Sequence, residues 1–410
     1  MALRVLLLTQ WFDPEPTIKG LGFAHELIRQ GVSVEVLTGF PNYPKGTLYP
    51  GYRLRWLQRE TVEGVRVTRV ALYPSHDQSA VRRALNYASF AATSLAYGIV
   101  AAGRVDVIYA YHPPLSVGVV AALLRVLRGR PVVYDVQDLW PDTLRATGMI
   151  GNPRLLRLVS AVCDWVYRRV DRIVVLSPGF KRVLEGRGVP SERIEVIYNW
   201  ADEVALLAPL GRLPEGFPGP DRFRIVFAGN MGKAQALEAV LEAAAMLQAR
   251  NARVSFVLVG AGVEVRRLRD MAEARSLDNL TFLPAMPMSE IGSVLRSADA
   301  LLVHLRRDPL FAVTIPSKTQ AYMAVGKPIL LAVEGDAADL VRQARCGVLA
   351  EPEDADSIAE AALALSGLSH DELEEMGRNA ASYYREHLAR ERGAARFASL
   401  FSRLATMRSG

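Results

Sequence analysis

Short runs rich in Val, Ile and Leu alternate with longer helical stretches along almost the whole chain. Leu3–Thr9, Val32–Thr38, Val65–Ala71, Val107–Tyr111, Val132–Val136, Ile173–Leu176 and Ile194–Tyr198 read as buried parallel strands. Apolar helices such as Leu115–Leu127 and Leu155–Val170 lie between them. A strand that is apolar throughout must be covered on both faces. Strand–helix–strand units achieve this, so the pattern predicts a doubly wound α/β fold. The rhythm breaks at 201–222, where Pro209, Pro214, Pro218, Pro220 and three glycines follow no period. That stretch reads as a linker. The alternation restarts with Phe223–Phe227, Val254–Val259, Leu280–Leu283, Ala300–His304, Pro328–Ala332 and Val348–Ala350. Two domains are expected, 1–200 and 223–385, with a charged C-terminal helix over 386–410 that can pack back on the first. A length of 410 residues suits two cores. Parallel sheets take ligands beyond the carboxyl ends of their strands, so two such sheets predict a ligand cleft between them.

Charge separates the halves. Residues 1–199 carry 25 Lys and Arg against 16 Asp and Glu, whereas residues 200–410 carry 24 against 27. A basic first half favours an anionic partner, either a phosphate-bearing ligand or an anionic membrane surface. The alternative is an arginine-rich composition without functional meaning. Nucleic acid is not expected, because no recognised binding module is present. Cys163 and Cys346 match no zinc or redox spacing and suit a reducing cytosol. The opening residues are too short for a signal-peptide core and read as a first strand.

In the second domain, Gly229-Asn230-Met231-Gly232-Lys233 follows the first strand and precedes a helical stretch, Ala234–Ala249. Glycines admit a ligand to the backbone, a helix start offers free amides to phosphate, and Lys233 adds charge. A plain βα turn with an exposed lysine is the alternative. Gly260 and Gly262 end the next strand, with Glu264 after them. The third glycine of a dinucleotide fingerprint would fall at Val265, which disfavours NAD. The most distinctive segment is Ile315-Pro316-Ser317-Lys318-Thr319-Gln320, with Gly326 ending its helix. Pro316 fits a first helical turn, so amides, a hydroxyl and an ammonium gather as an anion site. A well-capped helix with a surface lysine would look the same.

In the first domain, Asp135, Asp138, Trp140 and Asp142 crowd one strand-end loop. Carboxylates there can hold sugar hydroxyls or take a proton, and tryptophan can stack on a sugar. Asp135 fits a structural turn role equally well. His112 ends the fourth expected strand and could polarise a substrate. The loop Phe40–Gly46, with Asn42 and Tyr43, looks like a rigid substrate loop. Gly20 and Gly22 open the first helix and could admit a diphosphate. No metal is expected, since His25, His76, His112, His304, His370 and His387 show no ligand spacing. Ala84 to Gly103 lacks charge over twenty positions but is interrupted by Asn86, Ser89, Thr93 and Ser94. It reads as a packing helix or, with Arg53, Arg55, Trp56 and Arg59 nearby, as a shallow membrane contact.

These segments resemble the GT-B, family-4 retaining glycosyltransferases, and in particular bacterial N-acetyl-L-fucosaminyltransferases of surface-polysaccharide (O-antigen or capsule) assembly. The likeness rests on Leu37–Pro44, Asp138-Leu139-Trp140-Pro141-Asp142, and Ile315–Lys318 through Gly326-Lys327-Pro328, with support from Phe227–Lys233 and Ile197–Trp200. It implies two Rossmann-like domains facing a central cleft. It also implies a nucleotide diphosphate sugar as donor, UDP-linked, and no cofactor or metal. A lipid-linked (polyprenyl diphosphate) saccharide would be the acceptor, on the cytoplasmic face of the membrane.

Asn42, Tyr43 and Trp140 would then meet acceptor, and Asp135, Asp138 and His112 would position sugar or acceptor. The family's two glutamates fall on Val313 and Ala321 here, which passes the ribose contact to Gln320 or Glu264. Its arginine and lysine positions hold Asn230 and Gln235, leaving phosphate charge to Lys233 and Lys318. Those two groups would stabilise charge growing on the departing diphosphate. Two other functions stay open: a sugar-nucleotide epimerase of similar fold, and a binding protein with a degenerate site.

Overall fold

Eight strands form the first sheet of the computed structural model, which describes residues 2–75, 79–146 and 148–407. His76 lies outside them. The strands are β1 (Leu3–Leu8), β2 (Val32–Gly39), β3 (Leu57–Val62), β4 (Val65–Val70), β5 (Val107–Tyr111), β6 (Val132–Val136), β7 (Arg172–Val175) and β8 (Ile194–Val196). Their order is β3-β4-β2-β1-β5-β6-β7-β8. Val5 to Leu8 and Val107 to Ala110 have no exposed surface, which is why their sequence shows no polar alternation. Only β3 runs antiparallel, paired to β4. Sequence reading missed it because Leu57-Gln58-Arg59-Glu60-Thr61-Val62 is a polar edge strand. The signal lay in Glu63-Gly64, whose φ values of 48° and 85° make the two-residue hairpin turn.

The second sheet has six parallel strands: β9 (Phe223–Ala228), β10 (Val254–Val259), β11 (Leu280–Leu283), β12 (Ala300–His304), β13 (Ile329–Ala332) and β14 (Gly347–Leu349). Their order is β11-β10-β9-β12-β13-β14. Strand order reverses between β1 and β5 in one sheet and between β9 and β12 in the other. In open α/β sheets it is beyond the carboxyl ends of such pairs that the loops diverge and ligands bind.

The chain divides into two compact units, residues 1–198 with 390–410, and residues 199–389. The stretch 201–222 is therefore no free linker but part of the second unit. Asp202 caps a short helix, Glu203–Leu206, whose Leu206 is buried. Gly211 N–H donates to Ser293 Oγ at 2.7 Å, and Arg296 holds the Ala208 carbonyl. Prolines broke the local pattern there, while contacts distant in sequence fix the segment. The last helix of the chain, Arg390–Thr406, belongs to the first unit. Phe397 packs edge-on against Phe23 and Tyr109, with ring centres 5.3 and 5.2 Å away.

The helices used below are α1 (Leu21–Arg29), α2 (Ala80–Ala101), α3 (Glu238–Ala249), α4 (Val265–Ala274), α5 (Ser317–Val325) and α6 (Arg390–Thr406). In α2, Asn86 and Ser94 turn inward, while Val81, Leu85 and Val100 are exposed. Among the described residues no helix is long and apolar enough to cross a membrane.

Candidate functional site

At the end of β9 the backbone turns through Gly229 at φ 137°. The loop after β10 lies against it. Gly229 N–H donates to Val259 O at 2.8 Å, and Met231 N–H donates to Ala261 O at 2.8 Å. A methyl group on Gly260 would stand 1.9 Å from Gly229 O, and one on Gly262 would stand 2.2 Å from Met231 O. These glycines therefore let two strand-end loops meet backbone to backbone.

The helix expected from Ala234 begins four residues later. Lys233–Gln235 is a single 3₁₀ turn, Ala236 takes φ 41°, and α3 starts at Glu238. Gln235 Oε1 accepts the Gly232 N–H at 3.0 Å, so that side chain closes the turn. Lys233 and Asn230 remain exposed.

His304, at the end of β12, fixes the same turn. One ring nitrogen, Nδ1, lies 2.6 Å from Gln235 O, and the other, Nε2, accepts from Glu353 N–H at 3.1 Å. The pair of partners sets the neutral tautomer, with the proton on Nδ1. Burial lowers the His304 pKa in keeping with that.

Helix α5 begins one residue later than the sequence suggested, with Pro316 as its cap and Ser317 as its first residue. It stops at Gly326, whose φ of 76° suits glycine. Lys318, in the first turn, points at the end of β9. Its Nζ lies 4.6 Å from the centre of the Phe227 ring. A methyl group on Gly229 would come within 2.8 Å of Lys318 Cε. Among the described residues the ammonium makes no ion pair, and burial lowers its pKa to about 8. One turn on, Tyr322 is buried and its hydroxyl accepts the Ala228 N–H at 2.9 Å. This contact fastens α5 to the strand that carries Gly229. Sequence reasoning missed Tyr322, although its spacing of four from Lys318 puts both on one helix face.

Gln320 is buried, and its amide nitrogen, in the orientation that satisfies its neighbours, donates to Pro316 O at 2.8 Å. It closes its own helix start. Glu264 sits beside the Met231 loop, with its N–H on Met231 O at 3.1 Å and its carboxylate on Arg267 at 2.6 Å. Ile315 is buried and Ser317 exposed. Among the described residues no group of three or more His, Cys, Asp or Glu is arranged to hold a metal ion.

In the first unit, His112 follows β5 and is buried, with Nδ1 left without a hydrogen-bond partner among the described residues. Burial drops its pKa to about 3, so the imidazole is neutral. Trp140 meets it edge-on at 5.6 Å. Asp138 is half-buried, and desolvation raises its pKa. Asp135 is different. Its Oδ2 takes the buried ammonium of Lys19 and the Tyr109 hydroxyl, the latter at 2.6 Å, and its Oδ1 takes Gln137 Nε2 at 2.6 Å. The carboxylate is thereby engaged by an internal cluster of side chains, two of them distant in sequence. Lys19 is the residue that sequence reading overlooked there.

The glycines of α1 have neighbours of their own. Asp13 Oδ2 accepts the Leu21 N–H at 2.7 Å, and a methyl on Gly20 would lie 2.0 Å from that oxygen. A methyl on Gly22 would lie 2.4 Å from Arg390 Nη1. The amide start of α1 is thus met by the chain's own carboxylate.

The loop after β2 is held by Glu15, which the sequence did not single out. Glu15 Oε1 accepts the N–H groups of Asn42 and Tyr43, each at 2.7 Å. Burial outweighs these bonds and raises the carboxyl to about 7. Asn42 is buried and donates to Phe40 O at 2.9 Å, a loop-holding arrangement. Tyr43 stacks on Trp11 at 4.4 Å and 24°, leaving a half-buried aromatic pair beside the loop.

Each unit thus gathers its own group. Gly229, Asn230, Lys233, Glu264 and Lys318 meet around β9, and His112, Asp138 and Trp140 gather beyond β5 and β6. Residues 21–200 match the family described as Glycosyl transferase 4-like domain, and residues 215–383 match Glycosyl transferases group 1. The chain is 28% identical over 344 residues to the putative colanic acid biosynthesis glycosyl transferase WcaI of Escherichia coli, covering 80% of this chain and 83% of that protein. Among solved structures, sucrose-phosphate synthase of Thermosynechococcus elongatus superposes with a TM-score of 0.74 at 17% identity, over 99% of this chain and 100% of that one. Anabaena HepE, solved with UDP and glucose, gives 0.67 at 17% identity, over 98% and 99%. The two family matches together take in most of the chain, and with the paired parallel sheets they identify it as a glycosyltransferase of the GT-B fold, built from a 4-like domain followed by a group 1 domain.

Proposed function

We propose that the chain moves a sugar from a nucleoside diphosphate sugar, UDP-linked, to a lipid-linked saccharide acceptor during surface-polysaccharide assembly, with retention at the transferred carbon. The observation that carries this reading is Lys318. A half-buried ammonium at a helix start, without an ion pair among the described residues and aimed at a glycine strand end, awaits an anion. In the reaction the bond from C1 to the diphosphate oxygen breaks and an acceptor hydroxyl forms the new bond to C1. The departing diphosphate takes the hydroxyl proton. Negative charge grows on the diphosphate as it leaves, and Lys318, with Lys233 at the loop edge, is strongest against that charge.

Glu264, rather than the inward-turned Gln320, takes the ribose. Neutral His112, with its unpartnered Nδ1, holds a sugar hydroxyl, and half-buried Asp138 positions sugar or acceptor. Asp135, anchored by Lys19 and Tyr109, holds Gln137 next to Asp138. The Tyr43–Trp11 pair and Trp140 offer flat faces to acceptor rings. The relatedness to WcaI supports the polysaccharide setting, and the UDP bound by HepE supports the donor base.

The acceptor's lipid fits an exposed apolar and basic face on the first unit. Trp56 is 85% exposed and Val81 70% exposed, with Leu54, Leu85 and Arg53, Arg55 and Arg82 beside them in sequence. Tyr73 N–H donates to Ser89 Oγ and Thr93 Oγ1 donates to Ala71 O, and Ala71 N–H meets Trp56 O, so α2 and the Trp56 segment form one surface. Aromatic and basic residues together favour an anionic bilayer.

Transfer assays with a panel of nucleotide sugars and polyprenyl diphosphate saccharides test the reading. Lys318→Ala is expected to lower turnover by roughly 10²–10³-fold, as for loss of one oxyanion-type donor. Near-normal turnover in that variant would reject the role. Sedimentation with anionic vesicles at low salt tests the membrane face, and a folded protein that stays in the supernatant would reject it.

A further inference from the structure

A second concave site lies at the opposite end of the first sheet from the strand-end loops. It is a groove of about 640 Å³ between the amino-terminal halves of β1, β2 and β4, the middle of antiparallel β3 and the last turns of α2. Small-molecule sites span roughly 300–1,000 Å³. The sheet face that floors it is polar, which is unusual where a helix covers a sheet. Register places Arg4 beside Ser33, Glu35 beside Arg66, and Arg66 beside Thr61. Arg59 stands beside Thr68, two residues along on the same face. The intervening residues Val5, Val34 and Val67 are buried, and Val5 and Val67 also border the groove. Tyr97 of α2 walls the groove, its hydroxyl 3.5 Å from Thr68 Oγ1 and its ring 5.7 Å from the Arg59 guanidinium.

Charge in the groove is not balanced. Arg4 is committed to Asp106, and Glu60 to Arg69. Among the described residues Arg59, Arg66 and Arg104 make no ion pair, and Glu35 is the one uncommitted carboxylate of the lining. Three guanidiniums against one carboxylate call for an anion, because a planar fork of N–H donors matches phosphate or carboxylate oxygens. The hydroxyls of Ser33, Thr61, Thr68 and Tyr97 face the same space and suit a ligand with hydroxyls of its own.

We propose that this groove binds an anionic saccharide, a sugar bearing a phosphate or a carboxylate, at a place separate from the Lys318 loops. It is independent of the donor reading above, since no residue of the second unit takes part.

Thermal shift with four probes at equal millimolar concentration tests it: glucose 6-phosphate, glucuronate, glucose and inorganic phosphate. A ligand that binds only the folded state raises Tm by an amount set by its concentration over Kd. One or both sugar anions are expected to raise Tm by a few degrees, and the larger shift identifies phosphate or carboxylate as the source. Glucose and inorganic phosphate leave Tm unchanged. The double variant Arg59→Ser, Arg66→Ser alters two exposed side chains and should keep the fold, as circular dichroism will show, while losing the shift. Lys318→Ala should keep it. No shift from either sugar anion, an equal shift from inorganic phosphate alone, survival of the shift in the double arginine variant, or its loss in Lys318→Ala would each overturn the proposal.

Discussion

The hydroxyl of Tyr322 accepts the amide of Ala228 at 2.9 Å, which ties helix α5 to the strand that ends at Gly229 and sets Lys318 one turn before the tie. Removing the hydroxyl in Tyr322→Phe should cost about 1 kcal/mol of stability, the worth of one hydrogen bond. Turnover should drop several-fold. If the effect runs through Lys318, the alkaline pKa of kcat/KM should rise in the variant, because a loosened ammonium is better hydrated. A drop in turnover with an unmoved alkaline limb would leave Tyr322 only a structural part.

Lys318 sets function against stability. Its folded pKa, about 8, lies below the ordinary lysine value of 10.5. Between those values the unfolded chain holds more protons, so stability from this group rises with pH across that window. At pH 7 the charged, desolvated ammonium opposes folding. Lys318→Met should therefore raise stability at pH 7, by about 1–3 kcal/mol, while depressing turnover strongly. Urea titrations of both proteins at pH 7 check this, and a less stable variant would contradict a desolvated charge at this position.

The pH profile should be one-sided. His112 titrates near 3 and stays neutral across the working range, so no inflection between 6 and 7 is expected from it. The free enzyme should lose kcat/KM as Lys318 deprotonates above about 8. His112→Gln should lower the rate without changing the profile's shape between pH 6 and 9. A lost acid limb in that variant would assign His112 a proton-transfer role instead.

Lys19 and Asp135 lie 116 residues apart and are both sealed from water. Burial lowers the lysine pKa, opposed by the Asp135 charge. Lys19→Met should cost about 3–5 kcal/mol, because it strands a buried carboxylate. Adding Asp135→Asn should restore much of that, since the neutral amide oxygen still accepts from Tyr109. A double-mutant cycle in urea measures the coupling, and additive losses would mean the pair acts independently.

Glu15 gives a stability slope of the opposite sign to Lys318. Its folded pKa, about 7, is above the unfolded value near 4.5. Its contribution is full below about 4.5 and is lost as pH rises through about 7. Glu15→Gln should flatten the Tm profile between pH 5 and 7.5. An unchanged slope would show the carboxylate to be ionised throughout.

The strands were legible because a fully buried parallel strand spells itself in Val, Ile and Leu, as at Val254–Val259. Edge strand β3 was not, since Arg59 and Thr61 face solvent and break the apolar run. The helix start near Lys233 was placed too early because Ala236 takes a left-handed conformation that no residue type announces. Lys318 was visible from local chemistry, as a cation in the first turn after a proline. Its support was not: Tyr322 meets Ala228 across 94 residues, and Lys19 meets Asp135 through the fold. Local patterns name candidates for charge and turn, whereas tertiary contact decides whether a candidate carboxylate such as Asp135 is open or already taken.

Helix α6 has a consequence for the making of the protein. Its Phe397 and Phe401 rings close over Phe23 and Tyr109, which leave the ribosome before residues 199–389. The first unit therefore stays unsealed through synthesis of all of 199–389. Until Arg390–Thr406 emerges, the core around Phe23 and Tyr109 keeps an apolar opening that a chaperone could shield. The second unit is one continuous segment and can finish first. A ribosome that stops early releases a chain whose older half is the incomplete one.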